Sequence, residues 1–306
     1  MNGTRNVAAS VRQRLLNRAR EEKRPFQELL QYYAMERFLF RLSQSEHRNR
    51  FILKGALMLR VWEAPELRPT MDIDMLGRTD NAIDPLLEQI RAILTVDVKE
   101  DGITFLQDSL KAENITEDAD YEGVRVRFTG EMSNARVNMQ LDIGFGDTVY
   151  PEPELKPFPT LLEFDAPSLL CYSRESAIAE KLEAMIKLGE INSRMKDFYD
   201  IWLLARQFDF QLASLRKAIE HTFTRRRTAQ PGAIQFPQDF AERKQSQWLA
   251  FHRRLNQDHV PNNFHEILAT VIGFLDPVIR PIPEPTDAQW QAPGPWQWIA
   301  TNPDSV

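Results

Sequence analysis

The chain has almost no cysteine, no long apolar run and no excess of positive charge. Cys171 is the only cysteine among 306 residues, which excludes an intrachain disulfide and a cysteine-rich metal site. No apolar run is long enough to span a bilayer, and the basic segment up to Arg24 lacks the apolar stretch of a signal peptide. The formal net charge of −6 argues against a protein that coats nucleic acid through bulk charge. These absences predict a globular protein of the cytoplasm with no membrane partner.

The sequence also has no histidine motif typical of a metal site or a catalytic triad. The five histidines show neither the spacing of metal ligands nor that of a catalytic triad, so we expect them to be surface or packing residues: His47, His221, His252, His259 and His265. Hydrophobic residues make up 42% of the chain and charged residues 27%, the balance of a globular protein with one large domain or two ordinary ones.

The most informative pair of residues is Asp72 and Asp74. In an extended strand residues i and i+2 share a face, so both carboxylates point the same way while Met71, Ile73 and Met75 point into the protein. Two like charges side by side repel each other unless a cation neutralises them, and such oxygen ligands suit Mg²⁺ or Mn²⁺ bound together with phosphates. The pair predicts metal-dependent phosphoryl or nucleotidyl transfer. Two merely solvated aspartates are the alternative interpretation.

Hydrophobic periodicity divides the chain into an α/β half and a helical half. We predict an α/β domain with N-terminal helices over residues 1–168, a helical domain over 169–276 and a proline-rich irregular tail over 277–306. A short strand from Phe51 turns at Gly55 into a helix, and two alternating runs at 124–128 and 137–143 read as a hairpin. The other predicted elements are helices, within 6–45 and at 82–94, 174–189, 195–208, 212–224, 239–255 and 262–275.

Two further features support phosphate chemistry near the aspartate pair. Gly55, at a strand-to-helix turn, would let the backbone approach a phosphate. Asp142 lies on the polar side of its alternating run. Three carboxylates could hold two divalent ions that activate a hydroxyl and neutralise charge on an α-phosphate, so no protein nucleophile would be required. This hypothesis requires Asp142 to lie beside Asp72 and Asp74, in a pocket that no arginine fills permanently.

A second charged stretch lies in the helical half. Asp197 and Asp200 are three residues apart on a helix and share a face, and Lys181 on the preceding helix could reach a triphosphate as a point charge. The alternative is an interhelical salt-bridge network that also includes Arg194 and Lys196. Farther along, a basic cluster could contact RNA or could simply be a solvated face; its residues are Arg216, Lys217, Arg225, Arg226, Arg227, Arg243, Lys244, Arg253 and Arg254.

In these motifs the chain resembles the AbiEii/AbiGii toxin family of nucleotidyltransferases, which includes the MenT toxins, within the DNA polymerase β-like superfamily. The resemblance covers about residues 25 to 208. It rests on the order and spacing of Phe51-Ile-Leu-Lys-Gly-Ala-Leu, Arg68-x-Thr-x-Asp-x-Asp, the Asp142 strand, and Glu180-Lys-Leu with Lys-Asp-x-x-Asp at 196–200. The chain departs from the family at Gly55-Ala56, where Gly-Gly or Gly-Ser is usual, and at Lys196-Asp197, where Arg-Asp is usual.

The resemblance implies an α+β fold. A polymerase β-like mixed sheet would be flanked by helices and followed by a mainly helical half that completes the active-site cleft. Asp72 and Asp74 would hold the catalytic metal, Asp142 would complete the acidic set, and Lys181 and Asp197 would join the catalytic group. The residues implied to bind or orient the nucleotide are Gly55, Ala56, Arg68, Thr70, Lys181, Asp197 and Asp200.

The resemblance also implies a function. The protein would be the toxin of a type IV toxin–antitoxin pair, with a winged-helix antitoxin as a possible partner, and would transfer a nucleotide from an NTP to the 3′ end of tRNA. Two alternatives stay open. One is a relative of the same fold that binds nucleotide or RNA without turnover. The other is a glycosyltransferase, whose Asp-x-Asp motif holds a divalent ion and a nucleotide sugar.

Overall fold

The computed structural model describes residues 6–64, 69–116, 122–281 and 287–299. The chain divides into two compact units, one made of Met1–Gly146 with Pro153–Tyr172 and the other of Asp147–Glu152 with Ser173–Val306. The first unit therefore extends beyond residue 168, because the strand Ser168–Cys171 pairs with the strand that begins at Phe51. No helix in the described ranges is long and apolar enough to cross a membrane.

A seven-stranded mixed sheet forms the centre of the first unit, in the order β3-β4-β5-β2-β1-β7-β6. Its strands are β1 Phe51–Lys54, β2 Ile73–Gly77, β3 Thr104–Thr116, β4 Glu122–Met132, β5 Ala135–Phe145, β6 Glu154–Pro157 and β7 Ser168–Cys171. β2 pairs in parallel with β5 and antiparallel with β1. This mixed sheet, with helices around it and a helical second half, confirms the predicted fold class.

The described residues of the first unit form four α-helices: α1 Val7–Glu21, α2 Phe26–Gln44, α3 Met58–Val61 and α4 Ile83–Leu94. The predicted alternation along β5 is present, because Val137, Met139, Leu141 and Ile143 are buried whereas the residues between them are not. On the apolar side Phe38 of α2 packs against rings of β3 and β4, including Phe128 at 5.3 Å. One face of the sheet is therefore core, and the other face is left for polar side chains.

β3 has no counterpart among the predicted elements. Its hydrophobic alternation is interrupted between Leu106 and Lys111, where the register with β4 shifts. A bulge of this kind breaks the period-2 pattern on which strand prediction depends, while the hydrogen bonds to β4 keep the segment extended.

The second unit contains five helices and a small sheet among its described residues. The helices are α5 Arg174–Leu188, α6 Met195–Gln207, α7 Leu212–Arg226, α8 Phe240–Leu255 and α9 Phe264–Ile279, and the strands are β8 Phe210–Gln211, β9 Asp287–Trp290 and β10 Trp296–Ile299. Side chains cap the starts of two helices, since Ser173 Oγ accepts from Ser176 N and Asn263 Oδ1 accepts from His265 N. Such caps satisfy backbone N–H groups that have no partner within the helix.

The expectation of an irregular tail from residue 277 is wrong for most of the residues that are described there. α9 runs through Pro277 to Ile279, and β9 and β10 form an antiparallel pair that continues the sheet from β8. Trp290 and Trp296 pack on Phe274 with ring centroids 4.8 and 5.8 Å away. Two large aromatic side chains bury enough apolar surface to order a segment whose proline content alone would favour a loop.

Candidate functional site

Gly55 lies directly against one of the predicted metal ligands. It follows β1 with a φ of +72°, and a Cβ atom built on it would be 2.0 Å from Asp74 Oδ2. Only glycine fits here, because any side chain would displace the carboxylate and strain the backbone. The helical segment that follows is short, a 3₁₀ turn Gly55–Leu57 and then α3, so its dipole is small. Contact of Gly55 or Ala56 with a phosphate stays a prediction.

The structure brings together the three carboxylates of Asp72, Asp74 and Asp142. Asp74 and Asp142 are neighbours in register on the parallel strands β2 and β5, and Asp72 lies just before β2 on the same face. One oxygen atom from each residue lies within 4.8 Å of the others, and all three residues are half-buried. The side chains of Ile73 and Met75 are buried, as predicted. Met71 is not, since it is 54% exposed.

This donor set suits a hard divalent cation. Mg²⁺ and Mn²⁺ prefer carboxylate oxygen ligands, and a bound cation would offset the repulsion among three negative charges that lie this close. Partial exposure would leave room for water and phosphate oxygens in the remaining coordination positions. The role of the three aspartates as metal ligands stays a prediction.

Thr70 contacts the acidic group, and its predicted contact with a nucleotide stays a prediction. Its hydroxyl donates a hydrogen bond to Asp72 Oδ1, and its backbone N–H donates to the hydroxyl of Tyr32 at 3.1 Å. The next residue is held as well, because Gln31 Nε2 donates to the carbonyl of Met71 at 3.2 Å. Two neighbouring residues of α2 thus fix the segment that enters β2. Sequence reasoning expected Thr70 to contact nucleotide and did not identify Gln31 or Tyr32.

Arg125 is a site residue that sequence reasoning missed. From β4 its Nε donates to Asp142 Oδ1 at 2.8 Å, and its Nη2 donates to Asp142 Oδ2 at 2.7 Å. Gln140 Nε2 donates to Asp142 Oδ2 at 3.2 Å. The hydrogen bonds that Arg125 donates to Asp142 raise the pKa of Arg125 above its usual value. An arginine therefore holds one of the three carboxylates, in a site where the metal hypothesis required that no arginine fill the pocket permanently.

Lys54 is a second residue that the sequence did not single out. It pairs in register with Asp74 on the neighbouring antiparallel strand, and its Nζ lies 5.3 Å from the ring centroid of Tyr172. Residues directly opposite each other on antiparallel strands project from the same face of a sheet. Lys54 therefore adds a cationic side chain to the face that carries Asp74.

The predicted residues of the second unit form one ion-pair cluster. Lys181 Nζ lies 3.1 Å from Asp197 Oδ1 and 2.9 Å from Asp200 Oδ2. On the other side Arg194 Nε lies 2.7 Å from Asp197 Oδ2. The interhelical salt-bridge network, which the sequence left open as an alternative, is present for these four residues. Their contact with a nucleotide stays a prediction, and Arg68 lies outside the described residues.

Two arginines of the basic cluster make contacts within the second unit. Arg226 makes ion pairs with Asp147 at 3.1 Å and with Glu183 at 2.8 Å, and only 18% of its side chain is exposed. Arg216 Nε donates to the carbonyl of Val278 at 2.9 Å, near the end of α9. Because these two guanidinium groups bind partners within the second unit, fewer residues of the basic cluster are left to contact RNA than the sequence indicates.

Residues 37–288, most of the chain, match the family described as nucleotidyl transferase AbiEii toxin of the type IV toxin–antitoxin system. No curated protein matches the chain. Two crystal structures from Helicobacter pylori are similar to it. A candidate nucleotidyltransferase is 17% identical with a TM-score of 0.47, covering 80% of this chain and 93% of its own. The protein JHP933 is 16% identical with a TM-score of 0.46, covering 80% of this chain and 90% of its own. The match over residues 37–288 shows that the chain belongs to the AbiEii family of type IV nucleotidyltransferase toxins.

Proposed function

We propose that this protein transfers a nucleotide from an NTP to the 3′ end of tRNA, with a divalent cation held by Asp72, Asp74 and Asp142. The observation that carries the proposal is the meeting of three carboxylate oxygens within 4.8 Å at the junction of two parallel strands. Mg²⁺ or Mn²⁺ bound there would acidify the attacking hydroxyl and neutralise charge on the α-phosphate. Membership of the family favours NTP over a nucleotide sugar, so it argues against the glycosyltransferase alternative.

The protein's own residues would act by holding and orienting. Gly55 leaves space for the carboxylate of Asp74, and Thr70 fixes that of Asp72. Held in place before substrate arrives, these groups need little rearrangement during the reaction. No protein nucleophile is required, because the acceptor hydroxyl attacks the α-phosphate and pyrophosphate leaves. As part of the same proposal, Lys181, Asp197 and Asp200 help to bind and orient the nucleotide, as do Ala56 and Arg68.

The acceptor and the partner rest on the family and not on the geometry. The family is one of type IV toxin–antitoxin systems, so an antitoxin is a proposed partner. A tRNA end is the acceptor that the resemblance of the motifs implies. An RNA substrate would be held through phosphate contacts by lysine and arginine side chains, so its binding should weaken as salt is raised.

One alternative has a specific observation in its favour. A non-catalytic relative would bind NTP or RNA without turnover, and an arginine on Asp142 together with Ala56 in place of the usual glycine or serine would fit such a protein. Under this alternative the acidic group is a remnant that no longer supports transfer.

A labelled-nucleotide assay separates the two. The purified protein is incubated with Mg²⁺, total tRNA and each NTP in turn, labelled on the α-phosphate. We expect the label to be transferred to tRNA. No label should be transferred when the 3′-terminal ribose of the tRNA has been oxidised, because the acceptor hydroxyl is then lost. Asp74→Asn should lower the rate by at least about a thousandfold, since a lost metal ligand removes several kcal/mol of transition-state stabilisation.

The matched control for Asp74→Asn is Asp108→Asn, because Asp108 is an exposed aspartate on β3 of the same sheet. It should transfer label at the wild-type rate. Binding of NTP without any transfer would favour the non-catalytic alternative, and label found in protein instead of RNA would contradict the proposed acceptor.

A further inference from the structure

Arg125 and Asp142 are paired by the architecture of the sheet. They are partners in register on the long antiparallel strands β4 and β5, and the guanidinium meets both carboxylate oxygens. A two-point contact between planar groups fixes the rotation of the carboxylate as well as its position. The orientation of Asp142 is therefore set by a neighbouring strand and not by its own rotamer preference alone.

The hydrogen bonds to Asp142 leave one acceptor position open among those that the structure describes. An ionised carboxylate has about four lone-pair positions, two on each oxygen. Asp142 Oδ2 accepts from Arg125 Nη2 and from Gln140 Nε2, which accounts for both of its positions, whereas Oδ1 accepts from Arg125 Nε. The arginine and a cation can therefore share this carboxylate, with the cation bound through Oδ1.

We propose that Arg125 is a positioning residue, which with Gln140 turns the carboxylate of Asp142 so that its Oδ1 alone serves as a ligand beside Asp72 and Asp74. This inference rests on the metal site of the proposed function. It assigns the arginine a supporting task, of the kind that hydrogen-bonding partners of metal ligands usually have. The pair does not block the site, since the bidentate contact uses only one position on each oxygen.

Arg127 provides a matched control on the same strand. It lies two residues further along β4 on the same face, and it makes a single-contact, more exposed ion pair with Glu113 at 2.6 Å. Its partner is not one of the three clustered aspartates. Replacing Arg127 alters the charge of this face by the same amount as replacing Arg125, without touching a proposed ligand.

The test measures binding of Mn²⁺ alone to the full chain, by the electron paramagnetic resonance signal of the free ion. We expect Arg125→Met and Arg125→Lys each to weaken Mn²⁺ binding by about 10- to 100-fold, the range found for lost supporting contacts. Lysine keeps the charge but lacks the planar fork, so its failure to rescue would identify orientation as the cause. Arg127→Met and Arg127→Lys should bind Mn²⁺ as the wild type does, within about twofold.

Gln140→Met provides a second arm in case the arginine variants do not fold, and we expect it to weaken Mn²⁺ binding by a smaller factor than Arg125→Met. Tighter binding by Arg125→Met would show that the arginine competes with the cation and would overturn the proposal, as would unchanged binding by both Arg125 variants. Asp142→Ala separates this from the proposed function. If that variant keeps wild-type Mn²⁺ affinity, the metal site itself is wrong, whereas a loss in Asp142→Ala without any loss in the Arg125 variants refutes only the role of Arg125.

Discussion

The two acidic clusters contain the same residue type in opposite settings. In the second unit the side chain of Asp197 is completely buried between Lys181 and Arg194. In the first unit the side chain of Asp142 keeps 16% of its surface, and Asp72 and Asp74 are half-buried beside it. A carboxylate enclosed by cations is already neutralised within the protein, whereas carboxylates that solvent reaches can accept an ion from outside. Burial and ion-pair partners therefore distinguish two clusters that contain the same residue type.

Among the variants of the two clusters, we expect the largest change in stability from the replacement of Asp197. We expect Asp197→Ala to lower the free energy of unfolding by about 3–5 kcal/mol, because two cations lose a buried partner. Asp72→Asn should change it by no more than about 0.5 kcal/mol, since this residue is half-exposed and carries like charges beside it. Urea unfolding is followed by far-UV circular dichroism, which reports on both units, and by tryptophan fluorescence, which reports mainly on the second unit because it holds five of the six tryptophans. Equal stability of Asp197→Ala and the wild type would contradict the structural role.

Glu36 shows that burial can raise the pKa of a carboxylate even beside a cation, since Arg37 Nε lies 3.2 Å from its Oε1. Its backbone partner is Leu161 N at 2.6 Å, and burial raises its pKa to about 7. Between about pH 4.5 and 7 the unfolded chain has released this proton while the folded chain keeps it, so the contribution of Glu36 to stability falls as pH rises. The shift corresponds to about 3 kcal/mol.

Glu36→Gln should remove that dependence. The variant gains stability relative to the wild type as pH rises from 4.5 to 7, by about 3 kcal/mol over the whole range. Equilibrium unfolding at a series of pH values measures this difference. Glu88→Gln, an exposed glutamate on α4, is the control and should leave the difference flat. A flat difference for Glu36→Gln as well would mean that Glu36 is ionised in the folded protein at neutral pH.

The effect of added Mn²⁺ on stability also distinguishes the two clusters. Mn²⁺ at about 100 times its dissociation constant should stabilise the wild type by about 2.7 kcal/mol, seen as a higher melting temperature. We expect this stabilisation to disappear in Asp74→Asn and to persist in Asp108→Asn. If it disappeared instead in Asp200→Asn, the cation site would lie in the second unit, and the interpretation of the two clusters would have to be exchanged.

The sequence predicted the parts of the site that local patterns determine. The alternation along β5 identified the polar face of Asp142, and the i, i+2 rule identified the shared face of Asp72 and Asp74. The position of Arg125 opposite Asp142 depends on the register between β4 and β5, which the hydrophobic alternation of either strand does not determine. A signal did exist, because the two-residue loop Ser133-Asn134 fixes the hairpin register and places position 125 opposite position 142.

Other contacts could not be predicted from local patterns. Thr70 meets Tyr32 and Trp290 meets Phe274 across long separations in sequence. Such contacts follow from how elements pack, and nothing in the local periodicity of either partner specifies the other.

The smallest effect we expect concerns the hydroxyl of Thr70, and it decides between two roles for this residue. Thr70→Val keeps the shape of the side chain and removes the donor to Asp72 Oδ1, while the backbone bond to Tyr32 can remain. If Thr70 positions the carboxylate, Mn²⁺ binding weakens by about tenfold and Thr70→Ser restores it. If Thr70 instead contacts the nucleotide, as the family resemblance implied, the KM for NTP rises while Mn²⁺ binding stays at the wild-type value. The two roles thus predict changes in different quantities, Mn²⁺ affinity for the first and the KM for NTP for the second. Thr70→Val and Thr70→Ser together test whether the Thr70 hydroxyl supports a metal ligand or contacts the substrate.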